Sequence, residues 1–298
     1  MNWKLAGMAG TALSVLALSG VSIAGANKFT GNVSLAVGQT FQDDVFGVFD
    51  DSYTSISGDA KLNVAFSNNI NLQLDFAGTG GFADSNPGFS LDRDAGFQGA
   101  AHVYYRNDRY AVGLFAGAGV ASGPDLFGAA ADAEYYFVGA QGQYYWNNFT
   151  LGVDGGYLDS SSDLPIFGGD EIFLNDAWFA NAEVRWYATP KFALSANLGY
   201  ISGEALAPFG NGADVETIHW GAKAEYWPEE KEPLSLWVAY EGRSTEADFT
   251  PGPSFDKESH TVKIGVTFHF GTDGGKIEND RSGPAFNTMD YGAIVVGG

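Results

Sequence analysis

Four histidines are where chemistry in this chain would have to start, because the sequence holds no cysteine. Without cysteine there is no thiolate nucleophile, no disulfide framework and no sulfur-based metal site. A histidine works as a general base beside a Ser nucleophile, or beside acids that activate water, within hydrogen-bond reach. His102 falls mid-segment, His219 toward one end of its segment and His269 toward the opposite end, so these three should not converge. His260 adjoins Ser259, but neighbours on an extended strand point to opposite faces. The glycine clusters Gly78 to Gly81 and Gly117 to Gly119 lack the following helix and the Lys-Ser/Thr pair of a phosphate loop. The expectation is therefore no enzyme, no cofactor and no metal.

The other chemistry-bearing residues are charged. With 15 Lys and Arg against 36 Asp and Glu, the formal charge of −21 would repel phosphate, so nucleic acid is not an expected partner. Acids crowd the irregular stretches, as at Asp43, Asp44, Asp50, Asp51, Asp170 and Glu171, with none of the spacing of a dedicated calcium loop. Such a rim would concentrate cations. A second set is balanced in sign and lies within alternating segments: Asp75, Glu183, Glu225 and Glu241 against Arg106, Arg185, Lys223, Arg243 and Lys263.

The elements that place these charges are extended. In Thr261 to Phe270, TVKIGVTFHF, one face carries Val262, Ile264, Val266, Phe268 and Phe270, and the other Thr261, Lys263, Gly265, Thr267 and His269. The pattern recurs from Asn32 onward in about twelve segments, an even number as single-chain membrane barrels require. Short connections near Asn68, Asn107, Asn147, Pro190 and Glu230 alternate with long ones near Asp50, Asn86, Leu126, Phe167, Asn211 and Pro251. Tyr105, Tyr110, Trp146, Phe149 and Trp186 lie beside the short turns, where an interfacial aromatic girdle would sit. After the N-terminus no apolar run approaches the roughly twenty residues of a membrane helix. The fold expected is an all-β, transmembrane, antiparallel up-and-down barrel of about twelve strands. Short turns would be periplasmic and long loops extracellular.

The final strand resembles the closing strand of bacterial outer-membrane β-barrel proteins, which alternates in this way and ends on an aromatic, here Phe270. The resemblance is to porin-like barrels in architecture, without a subfamily. It implies a Gram-negative outer-membrane protein that meets outer-membrane lipids and, during biogenesis, the barrel assembly machinery. It also implies passive diffusion of small hydrophilic solutes or ions, cation-leaning given the acidic rim. The alternative is a non-conducting barrel that displays acidic loops for binding or structure. Oligomeric state is left open.

Three segments follow. Residues 1–26, with Lys4, an apolar middle and Ala24, Gly25 and Ala26 at the end, read as a cleaved secretory signal peptide. Residues 27–270 form the barrel. Residues 271–298 depart from the family pattern, in which the closing aromatic is usually last, and read as a periplasmic tail that is disordered, plugs the lumen or contacts another envelope component.

Overall fold

The computed structural model describes residues 26–42, 51–66, 68–82, 95–126, 129–162, 174–206, 212–228, 233–249, 254–272 and 275–296. Twelve strands follow in order: β1 (Ala26–Gln42), β2 (Asp51–Phe66), β3 (Ile70–Phe82), β4 (Gly96–Arg106), β5 (Tyr110–Leu126), β6 (Ala129–Trp146), β7 (Phe149–Ser162), β8 (Asn175–Thr189), β9 (Phe192–Leu206), β10 (Gly212–Tyr226), β11 (Leu234–Phe249) and β12 (Ser254–Phe270). Each pairs antiparallel with its sequence neighbours, and β1 pairs with β12 from Gly31 opposite Phe270 to Gln42 opposite Ser259. Closure leaves no strand edge unpaired, the condition for β-structure to survive in hydrocarbon.

The period-two pattern decides what faces outward. Leu114, Trp178, Ile264 and Val153 are 67%, 67%, 62% and 61% exposed, a degree of apolar exposure that suits lipid and not water. Val262 and Phe268 join this surface. At the short-turn end Tyr105 meets Tyr110 at 6.0 Å, and Phe149 lies between Trp146 and Trp186 at 5.9 and 6.3 Å. Asn69 and Asn147 take the left-handed backbone of the tight turns (φ 64° and 46°), which Asn tolerates better than most residues. At the seam, Phe29 and Phe270 pack at 6.0 Å outside while Ser34 and Thr267 hydrogen-bond at 2.6 Å inside.

Strand β3 runs further than its alternation suggests. The apolar pattern stops at Phe76, yet the ladder continues through Gly78, Gly80 and Gly81 to Phe82, opposite Thr54 to Asp59. Glycines carry no side chain to mark a face, but their backbone groups pair as well as any.

After Phe270 the chain turns into the barrel. Gly271 has φ +77°, and a Cβ there would come within 2.1 Å of the Phe29 carbonyl oxygen. Helix α1 (Lys276–Ser282) and a single turn, α2 (Gly292–Val295), follow, joined by residues that form neither helix nor strand. Residues 275–296 of the segment read from sequence as a periplasmic tail thus lie inside the bore, where their polar backbone and apolar side chains both find partners. Gly271→Ala should loosen this docking by about 1–2 kcal/mol from backbone strain alone. Faster proteolysis within 271–298, with the barrel intact, would show it.

Candidate functional site

The bore is built by the inward residues of all twelve strands and by the returning segment. At the short-turn end α1 lies across it. Lys276 Nζ reaches Glu225 at 3.1 Å and Asp280 at 2.7 Å, while Asp280 accepts Arg185 at 2.9 Å and Arg185 also holds Glu183 at 2.7 Å. Arg281 donates to the carbonyls of Asn147 and Phe149 at 2.8 and 2.7 Å, and Arg106 to those of Gly283 and Ser282 at 2.5 and 3.0 Å. Each strand in turn from β1 has a buried inward residue at this end, namely Thr30, Asn63, Asn71, Tyr104, Ala111, Tyr145, Thr150, Tyr187, Ala193, Glu225, Ser235 and His269, while Arg106, Gln143 and Arg185 beside them are half-buried. Among the described residues, this end of the bore is the more closely packed one.

The charges here are mutually dependent. Burial pushes the Asp280 carboxyl up, but Lys276 and Arg185 hold it below the usual carboxylate range. Burial pushes the Lys276 ammonium down, but Asp280 and Glu225 hold it above its usual range, with Arg185 opposing and His269 close by. Depressed Asp280 contributes fully above its undocked pKa and loses that contribution as pH falls through the docked one; elevated Lys276 loses its own only as pH rises through its docked value. Protease accessibility of the segment should therefore stay flat across neutral pH and rise below the ordinary aspartate range. Arg185→Ala leaves Glu183 without its paired cation and Asp280 with Lys276 alone. It should weaken docking by about 3 kcal/mol, measurable as a lower urea midpoint for release.

Mid-barrel, the segment meets the wall in detail. The Gln73 carboxamide donates to the Phe286 carbonyl at 2.9 Å and accepts the Ala285 amide at 2.9 Å. Gln98 donates to the Met289 carbonyl at 2.6 Å and accepts the Tyr291 amide at 3.2 Å. Thr288 Oγ donates to Asp75 at 2.9 Å and lies 3.1 Å from His102 Nε2. Phe286 packs edge-on to Tyr104 at 5.0 Å; further up, Tyr291 sits between Phe137 and Phe179 at 4.5 and 5.0 Å. Ile294 and Val295 complete an apolar cluster with Ala133, Leu158, Ile201 and Val215 toward the long-loop end.

Between the segment and the facing wall a polar cavity of about 500 Å³ remains. Asp75, Glu183, Arg185, Lys223, Glu225, Glu241, Arg243 and Lys263 border it. Arg106, expected with them, is turned to the segment's carbonyls instead. Lys263 pairs with Glu241 at 2.6 Å, and Lys223 lies 4.4 Å over the Trp237 ring. Asp43, Asp44, Asp50, Asp170 and Glu171 lie outside the described residues, and Asp51 opens β2. The histidines stay apart. His102 Nδ1 meets Gln141 at 3.0 Å, His219 meets Asn181 at 2.7 Å, His269 is 3.6 Å from Glu225, and His260 is on the outer face 2.8 Å from Tyr240.

Sequence reasoning did not single out Gln73, or the returning residues Lys276, Asp280, Phe286 and Tyr291. Their partners are far along the chain, and residues 271–298 show no strand alternation; only buried polarity at Gln73 and Gln98 would have hinted at a guest.

No protein-family model matches the chain, and no curated protein matches it. Among solved structures, an outer membrane channel from Pseudomonas putida F1 aligns with a TM-score of 0.52 at 14% identity, over 84% of this chain and 97% of that one. The KdgM porin aligns with a TM-score of 0.41 at 10% identity, over 80% and 99%. The toluene transporter TodX of Pseudomonas putida aligns at 0.42 and 10%, over 83% and 90%. The first of these likenesses shows the fold: this protein has the architecture of a bacterial outer-membrane β-barrel.

Proposed function

We propose that the protein is an outer-membrane channel for passive diffusion of small hydrophilic solutes or ions, and that its own C-terminal segment narrows the bore. The observation that carries this reading is the polar cavity of about 500 Å³ along the wall that the segment leaves free. Charges of both signs on one stretch of its wall, Lys223, Glu241 and Lys263, order water there and disfavour apolar solutes. Acids outnumber bases in the chain as a whole, so the passage leans toward cations. No step needs a cofactor.

The test is the reversal potential of the purified protein in a planar bilayer under a salt gradient. A cation-biased potential is expected, increased by Lys263→Glu and reduced by Glu241→Lys. Anion bias, or indifference to both substitutions, would overturn the selectivity. A second reading, a non-conducting barrel, is favoured by the close packing of α1 at the short-turn end; it wins if the bilayer stays silent both before and after the segment is removed.

A further inference from the structure

We propose that the bore is a binding groove for extended polypeptide, with the protein's own residues 283–291 as its resident ligand. The proposal goes beyond the channel reading and stands or falls separately from it.

The wall recognises main chain. Buried peptide groups must be paired, and between α1 and α2 the segment pairs with no strand and forms no helix. Its partners are inward side chains. Gln73 brackets Phe286 by donating to its carbonyl while accepting the Ala285 amide, and Gln98 does the same across Met289 and Tyr291. A carboxamide suits this, because it donates and accepts at once in the pattern of another peptide group. Gln143 donates to the Ala285 carbonyl at 2.5 Å, and Arg243 to that of Ala293. Gln73 and Gln98 are 0% and 3% exposed, so these contacts are made where an unpaired amide would be costly. Main-chain atoms are common to all peptides, so this part of the groove is indifferent to sequence.

Side-chain selection falls on two rings five residues apart and on the Thr288 hydroxyl between them, held by Asp75 and His102. Phe286 fits against Tyr104, and Tyr291 fits between Phe137 and Phe179. The geometry thus points to peptides with two aromatics at that spacing, which would compete with the resident segment.

The test uses the full chain with a protease site in place of residues 273–274, cleaved after folding. The clipped segment is washed out in denaturant too weak to unfold the barrel, and its loss is verified by mass. A fluorescent peptide of sequence 275–296 should then bind the cleaved protein and not the uncleaved one. N-methylation at Ala285 and Tyr291, which removes the amide donors to Gln73 and Gln98, should weaken binding at least tenfold. Replacing Asn287, Met289 and Asp290 with other side chains should weaken it by less. The reverse ranking, or no rebinding, would overturn the proposal. Conductance recorded in parallel separates the two readings: binding in a barrel that never conducts sinks the channel and leaves the groove, and conductance without binding does the opposite.

Discussion

Cutting the chain between Thr272 and Gly275 after folding, and removing the released segment, should turn a barrel of low conductance into one with large discrete steps. The segment narrows the short-turn end, where every strand has a buried inward residue, and fills one side of the bore up to Ile294 and Val295. Without it, polar groups that now hold α1 and the segment behind it, including Arg106, Gln73 and Glu225, would face water. Twelve strands enclose more than the eight whose lumen side chains alone can fill. An unchanged conductance would mean that solutes never pass where the segment lies. Because the strands pair with each other and only their inner faces touch the segment, the cleaved barrel should keep its heat-modifiable gel mobility.

Leu114→Arg should be the most damaging single change to the barrel itself. Leu114 is 67% exposed, sits midway between Tyr110 and Ala118 on the outward face of β5, and meets hydrocarbon in the membrane-embedded protein. An arginine at the middle of a lipid-facing strand costs about 2–4 kcal/mol, falling near zero at the interfaces. Equilibrium unfolding in lipid vesicles would read the loss directly. Tyr110→Arg, near the girdle, should cost far less; equal costs would mean that this surface is not a membrane belt.

Most of the wall was legible in the sequence because strand side chains alternate with a period of two. In Thr261 to Phe270 that alternation alone separates the lipid face from the bore, and the inward placement of Lys263, Glu241 and Arg185 follows from the same parity. The extent of β3 was less legible, since Gly78, Gly80 and Gly81 reveal no face. Arg106 faces the bore, as the parity of β4 implies, but its partners could not be read, because they belong to a segment that joins no strand.

By itself, then, the sequence determined an even-stranded closed wall with an apolar exterior and a charged interior, through local alternation and turn residues such as Asn69 and Asn147. The tertiary structure decided what occupies that interior. Residues 271–298 carry no alternation, and those described from 275 to 296 bury their groups largely against partners brought together by closure: Asp280 on Arg185, Phe286 on Tyr104, Tyr291 on Phe137. Those partners belong to β8, β4 and β6, and no local pattern in the segment could point to them until β1 had met β12.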